Sequence, residues 1–387
     1  MKIEEITLRN FRNYQELTFR PHDGINLFFG QNGSGKTNLL EAIHCCALGK
    51  SHRVANDQNI IKSGERSAFC EISVRTQLTR QNIFLRLQPD EQQKKLIQID
   101  GKRIRKFSEL MGCLQCVIFS PEDLDLVKEG PAIRRRFLDM MISQFSRAYF
   151  ISLQQYRLAM EQRNALLKEI KMNRPVDNRM LDVYEQAMAA SAETIVAERK
   201  KVIRLLAEES LLTYRTISGR EEEEFSVHYQ SVLRETDSPM EEMIHALKEN
   251  REDDVRYGMT SCGPHRDDLV MTLNRKNMKM FASQGQMRTA ALSLKLAQMK
   301  VFKSISGEYP VLLLDDVMSE LDISRRMHLL EEIGNTQTFI TCTDESDLED
   351  CKDKRVYAVS VENGNAYIRM MHKGTEAETK FKEPDFT

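Results

Sequence analysis

An apolar run, Ile25 to Phe29, leads straight into Gly30-Gln31-Asn32-Gly33-Ser34-Gly35-Lys36-Thr37, and an amphipathic stretch opening Asn38-Leu39-Leu40-Glu41-Ala42-Ile43 follows. A strand, a glycine-rich turn and a helix in that order point to an α/β fold. The turn fits the phosphate-binding spacing G-x-x-x-x-G-K-[ST]. Small residues let successive backbone N–H groups curl inward as an anion nest, and the helix that starts near Lys36 directs the positive end of its dipole at the same place. Residues 30–38 are therefore candidate contacts to a nucleoside triphosphate. Lys36 is placed to reach the β- and γ-phosphates, and the Thr37 hydroxyl to ligate Mg2+.

With 387 residues the chain can form two or three domains with proper cores. Lysine and arginine (56) balance aspartate and glutamate (58), so any nucleic-acid contact has to use a local basic face. The N-terminus lacks the apolar core of a signal peptide, and no stretch approaches the about 18 apolar residues of a membrane span. The eight cysteines show no secreted disulfide framework. Cys113-Leu114-Gln115-Cys116 is an isolated pair, which reads as reduced thiols rather than zinc ligands. Cytoplasmic residence is the expectation.

Three segments follow from the patterning: 1–122, 123–256 and 257–387. Strands are expected at Ile3–Leu8, Leu17–Phe19 and Ile25–Phe29. An antiparallel meander follows over Phe69–Leu78, Ile83–Leu87 and Leu96–Ile99, then a buried strand over Gln115–Phe119. After Gly130-Pro131 the period becomes helical, with Ile133, Phe137, Met141, Phe145, Tyr149, Leu153, Tyr156, Met160, Leu167 and Ile170 on one stripe. A second helix, about Met180 to Tyr214, turns Val183, Ala187, Ala190, Ile195, Val202 and Leu206 inward. The two make an antiparallel hairpin, too short and irregular in its heptads for an extended coiled coil. Glu221 to Glu224 reads as a solvated acidic turn. Strand and helix alternate again from about Met259: Leu269–Leu273, helix Gln286–Phe302, Val311–Leu314, helix Ile323–Glu332 and Thr338–Thr341. One nucleotide-binding head is interrupted by a helical insertion.

Val311-Leu312-Leu313-Leu314-Asp315-Asp316 is an apolar strand ending in two carboxylates. Asp315 is the candidate second ligand for Mg2+, and Asp316 the group to orient or deprotonate an attacking water. Lys36 and Asp316 are the candidate catalytic pair. Ser283-Gln284-Gly285-Gln286-Met287-Arg288, before a long helix, resembles the signature motif of ABC-type ATPases. Ser319-Glu320-Leu321-Asp322 resembles their D-loop. Asn10-Phe11-Arg12-Asn13-Tyr14 resembles the N-terminal element of the structural-maintenance and Rad50-like branch.

With Gly263-Pro264-His265-Arg266-Asp267-Asp268 and so short an arm, the ordered set resembles the RecF family of bacterial recombination mediators over nearly the whole chain. The resemblance implies a P-loop ABC-type ATPase head, mixed sheet plus antiparallel β-meander, interrupted by a helical arm. It implies that Ser283, Gly285, Gln286 and Asp322 meet ATP bound by a second copy, in an ATP-dependent homodimer, and that Arg12 approaches the phosphates. It further implies a weak, DNA-stimulated ATPase that clamps duplex DNA near single-strand gaps and works with RecO and RecR to load RecA. The implied setting is recombinational repair, replication-fork recovery and the SOS response.

Thr341-Cys342-Thr343-Asp344 stands where many ABC-type ATPases carry a histidine, and Asp316 is one methylene shorter than the usual glutamate. Both differences imply slow hydrolysis suited to a timer. No clear glutamine-loop is present; Phe119-Ser120-Pro121-Glu122-Asp123 occupies its place. His265 reads as structural. Basic clusters at Lys102-Arg103-Arg105-Lys106, Arg134-Arg135-Arg136, Arg199-Lys200-Lys201-Arg204 and Arg275-Lys276-Lys279 are candidate contacts to a duplex backbone. The alternatives are a nucleotide-gated adaptor, or another structural-maintenance-like ATPase, with incidental hydrolysis, and, less in keeping with the antiparallel arm, the ATPase subunit of a membrane transporter.

Overall fold

The computed structural model describes residues 1–89, 94–233, 238–318, 321, 323–334, 336–343, 354–362 and 365–371. By contacts the chain divides into two compact units, Met1–Glu122 with Phe302–Thr387, and Asp123–Val301. The segment 257–301, grouped with the C-terminal lobe on sequence, thus clusters with the helical region.

In the first unit β1 (Lys2–Phe11) and β2 (Tyr14–Phe19) form a hairpin, and β3 (Ile25–Phe29) runs into the glycine-rich turn and α1 (Lys36–Leu48). Next come β4 (Ala68–Arg75), β5 (Arg80–Leu87), β6 (Lys95–Ile99), β7 (Lys102–Arg103) and β8 (Cys116–Phe119). The meander β4 to β7 extends onto β1 and β2, giving one antiparallel sheet in the order β2-β1-β4-β5-β6-β7. Strict alternation along β4, with Ala68, Cys70, Ile72 and Val74 buried, turns one face of this sheet onto a core. β4 ends at Arg75 rather than Leu78, because Thr76 closes the hairpin. Its hydroxyl accepts the Leu78 and Thr79 N–H groups, and Leu78 is left exposed.

The second unit holds α2 (Asp125–Lys128), α3 (Pro131–Ser143), α4 (Arg147–Lys171), α5 (Arg179–Ser218), β9 (Phe225–Gln230), α6 (Pro239–Glu249), α7 (Arg251–Tyr257), β10 (Asp268–Leu273), β11 (Lys276–Asn277), α8 (Met278–Phe281) and most of α9 (Gln284–Ser306). α4 and α5 form the expected antiparallel hairpin, but two details differ. The first stripe is broken at Gln144–Ser146, where Ser146 caps α4 by accepting the Tyr149 N–H, so α3 and α4 are separate helices. On α5, Val183, Ala187 and Ala190 are exposed. Its buried face includes a seam of Leu181, Glu185, Met188, Ala192, Ile195, Arg199, Val202 and Leu206, alternating by four and three. That seam is regular; two of its positions are charged, so apolar patterning misses it.

Both charges are satisfied. Arg163 of α4 donates to Glu185 (3.0 and 3.1 Å), to Asp254 (2.7 Å) and to Thr260 (2.9 Å). Arg199 donates to Asp139 (2.8 Å), the Tyr149 hydroxyl (3.0 Å) and the Pro264 carbonyl (2.7 Å). Glu223 is buried rather than solvated, because Tyr214, Arg220 and Gln286 all donate to it. Its carboxyl is held below the usual range, since those three hydrogen bonds outweigh desolvation.

The chain returns to the first unit with β12 (Val311–Asp315), α10 (Ile323–Ile333), β13 (Thr338–Cys342), β14 (Lys354–Glu362) and β15 (Asn365–Met371). The resulting sheet, in the order β15-β14-β3-β13-β12-β8, is parallel from β14 through β8. β12 and β13 are buried at every position, as strands covered on both faces should be. Register places Asp315 beside Thr341 and Cys342 beside Phe29, so three strand ends converge next to the phosphate-binding turn. Among the described residues no helix is long and apolar enough to cross a membrane.

Candidate nucleotide site

The turn after β3 needs conformations that only glycine adopts freely. Gly33 and Gly35 have φ of 81° and 115°, and a Cβ on Gly35 would stand 2.8 Å from the Asn13 side chain. Gly30 lies so close to the Val359 carbonyl that a Cβ would meet it at 2.2 Å. Lys36 folds over the turn, donating to the carbonyls of Gly30 and Gln31. Burial lowers its pKa, opposed by the nearby charges of Cys342, Asp316 and Asp315. Gln31 and Asn32 are exposed on the rim. The buried Ser34 hydroxyl has no hydrogen-bond partner among the described residues, which leaves a donor inside the cradle.

Asp315 joins the two halves of the site. Its Oδ1 accepts from the Thr37 hydroxyl at 2.7 Å and from the Thr341 hydroxyl at 2.8 Å. Burial raises the Asp315 pKa; the two hydroxyls oppose that shift, Arg53 opposes it further and Glu122 adds to it. Asp316 sits in the left-handed region, φ 53°, with its N–H donated to the Thr341 oxygen. Asp315 closes the strand, and Asp316 is the first residue of the turn beyond it.

Three contributors were not singled out from sequence. Asn13 donates to the Ser34 carbonyl (3.1 Å) and accepts from Asn38 (2.8 Å), pinning the turn to the β1–β2 hairpin. Tyr14 donates to the Gly35 carbonyl at 3.1 Å. Thr341 holds both acids. The signals were present: Asn13 and Tyr14 lie in the N-terminal element noted for Arg12, and Thr341 at the position noted for lacking histidine. Arg12 itself clamps the buried Glu41 of α1, with Nε and Nη2 each 2.8 Å from a carboxylate oxygen.

At the start of α9, Ser283 and Gln286 form a reciprocal cap. The Ser283 hydroxyl accepts the Gln286 N–H, and the Gln286 side chain accepts the Ser283 N–H. Gln286 also donates to Glu223, so this helix start is anchored from both sides. Gly285 follows in the first turn, its carbonyl accepting from Thr289. Asp322 and Asp344, and the Ser319-Glu320 part of the D-loop resemblance, lie outside the described residues.

The second and third basic clusters each hold one structural arginine, while Arg136, Lys201 and Arg204 are exposed. Arg134 makes a two-pronged pair with Asp268, and Arg199 is the buried seam residue. Lys102, Arg103, Arg105 and Lys106, with Arg275, Lys276 and Lys279, are exposed. His265 accepts from the Tyr156 hydroxyl at Nδ1 (2.7 Å) and donates from Nε2 to the Thr260 carbonyl (3.2 Å); burial drives its pKa down to about 4.

Residues 2–367 match the family model described as "RecF/RecN/SMC N terminal domain". A Clostridium perfringens protein named "DNA replication and repair protein RecF" is 41% identical over 365 residues, 94% of this chain and 99% of its own. The chain belongs to the RecF family. A RecF of Alkaliphilus oremlandii is 40% identical over 367 residues, covering 93% of this chain and 99% of that one. A solved structure titled as the recombination mediator RecF with ATP in the RecFOR pathway superposes with a TM-score of 0.86 at 32% identity, covering 96% of this chain and 97% of that chain. An SMC head bound to a winged-helix domain of ScpA reaches 0.58 at 15% identity, covering 96% of this chain and 98% of that one, and shares the fold alone.

Proposed function

We propose that this chain binds ATP with Mg2+ at the turn 30–38 and hydrolyses it slowly, using the nucleotide to close a homodimer on duplex DNA. The observation that carries the reading is the convergence of Thr37 and Thr341 on Asp315 beside a cradle holding an unpartnered Ser34 hydroxyl. The ATP-bound RecF structure supports the choice of nucleotide.

The residues present suit the metal. A hydroxyl and a carboxylate are hard oxygen donors, and nucleotide oxygens would complete the set, since no cluster of three or more His, Cys, Asp or Glu exists among the described residues. Thr37 and Asp315 would hold Mg2+, which offsets phosphate charge when bound. Lys36, now on two backbone carbonyls, has its ammonium at the mouth of the cradle and can exchange those carbonyls for phosphate oxygens. Asp316 is the acid left to hold a water or take its proton, with its backbone fixed by Thr341. A carboxylate on so short a side chain suits slow turnover.

The rest of the reading rests on family resemblance. Ser283, Gly285, Gln286 and Asp322 of a second copy complete the pocket, and Arg12 approaches the phosphates. The segments 1–122 and 257–387 act together as the ATPase head, with 123–256 as its arm. The exposed basic clusters contact duplex DNA near gaps. RecO and RecR are the partners, and RecA loading the outcome.

Molar mass by light scattering, with and without ATP, tests the closure. The intact chain should double its mass with ATP, and Ser283→Arg should stay monomeric while still binding ATP. A monomer under all conditions overturns the dimer.

A further inference from the structure

The second unit contains a cavity of about 170 Å³ between α3, α4, α5 and the Pro264–His265 turn. Its lining includes four arginines, Arg135, Arg136, Arg157 and Arg199, against a single carboxylate, Asp139. Arg199 and His265 belong to the floor, Arg199 almost wholly buried; Arg136 and Arg157 are exposed at the rim. His265 is neutral, with both ring nitrogens committed, so it brings no charge.

The carboxylate is fully used. Asp139 Oδ1 accepts from Tyr149 and Arg199, and Oδ2 accepts from Arg157 at 2.9 Å. Asp267, behind the lining, lies 3.7 Å from Arg199 and accepts from Tyr229, Ser231 and the Val232 N–H. Arg135 has one N–H on the Asp267 carbonyl, and Arg136 has no partner among the described residues. Counting Asp267 and the Arg134–Asp268 pair behind it, five positive groups stand against three negative ones. Burial lowers the Arg135 pKa and the Arg199 charge lowers it further, opposed by Asp268, Asp139 and Asp267. The first turn of α3, which contributes Ala132 to the wall, adds the positive end of its dipole.

Guanidinium groups with spare N–H forks around a small concavity match the geometry of a tetrahedral oxyanion. We infer that this cavity is a second anion site, separate from the glycine-rich turn, which takes one phosphoryl group through Arg135, Arg136 and Arg157. A phosphodiester of DNA and free phosphate share that chemistry.

The test is calorimetric titration of inorganic phosphate into the full-length chain held in excess non-hydrolysable ATP analogue, so that the glycine-rich turn is filled. One saturable site is expected. Arg136→Gln should weaken it about tenfold, and Arg136→Gln with Arg157→Gln should abolish measurable uptake. Analogue affinity and the thermal midpoint without phosphate serve as controls for folding. Adding a blunt DNA duplex separates the sources. Displacement of phosphate assigns the site to the DNA backbone, and undiminished uptake assigns it to the free ion; either supports the site. Absence of saturable uptake up to about 10 mM phosphate, a limit above any specific site worth the name, or equal uptake by the doubly substituted chain, overturns it.

Discussion

The Thr341 hydroxyl donates to Asp315 at 2.8 Å while its oxygen accepts the backbone N–H of Asp316, so one side chain sets both acids at the end of β12. Thr341→Val keeps the shape and removes both bonds. ATP turnover should fall about tenfold and need more Mg2+ for half-maximal rate, the scale of one or two buried hydrogen bonds at about 1 kcal/mol each. Thr341→Ser should restore most of it. An unchanged Mg2+ dependence in the valine variant would show that Thr341 does not position the acids.

Asp315 makes the nucleotide-free protein sensitive to pH. Its folded pKa is raised by burial, so the folded state holds this proton more tightly than the unfolded chain. The resulting stability is complete below the ordinary carboxylate pKa and is lost as pH rises through the raised one. Asp315→Asn retains Oδ1 as acceptor for both threonines and carries no charge. Its thermal midpoint at neutral pH should exceed that of the native chain, and the gap should close on acidification. A constant gap across that range would refute the assignment.

His265 has the opposite sign. A histidine depressed to about 4 is neutral in the fold, so its stability contribution is present above the ordinary pKa of 6.5 and is lost as pH falls towards 4. The full loss is on the order of 3 kcal/mol. His265→Gln offers an acceptor and a donor without the titration. Urea midpoints at pH 7.5 and 4.5 should differ less for the variant than for the native chain.

Arg163 is wholly buried between Glu185 and Asp254, which are buried too. Arg163→Met leaves the buried Asp254 without its cation and Glu185 with Arg251 alone, and should cost about 3–5 kcal/mol in urea unfolding. A loss under about 1 kcal/mol would mean the pair is solvated in solution.

The parts legible in the sequence were those whose pattern is local. Ile25 to Thr37 specifies strand, turn and helix within thirteen consecutive residues, and Val311 to Asp316 announces its two acids at a strand end. Partnerships over long separations were hidden. Nothing near Arg12 shows that Glu41 is its partner, and nothing near Glu223 shows that Tyr214 and Gln286 converge on it. Glu185 and Arg199 conceal the seam of α5, because a hydrophobic stripe is defined by apolar residues and two of these positions are charged. β1 and β2 were recognised as strands, but their membership of the antiparallel sheet depends on β4, sixty residues away.

The cations inside the helical hairpin also index it. Sliding α4 along α5 by one turn would carry Arg163 off Glu185 and Asp254, stranding Arg163 and Asp254 in a dry interior at several kcal/mol apiece and leaving Glu185 with Arg251 alone. Apolar seams alone tolerate such slippage; a toothed one does not. The arm is thus a ruler with a single zero mark, its two helices held in one register.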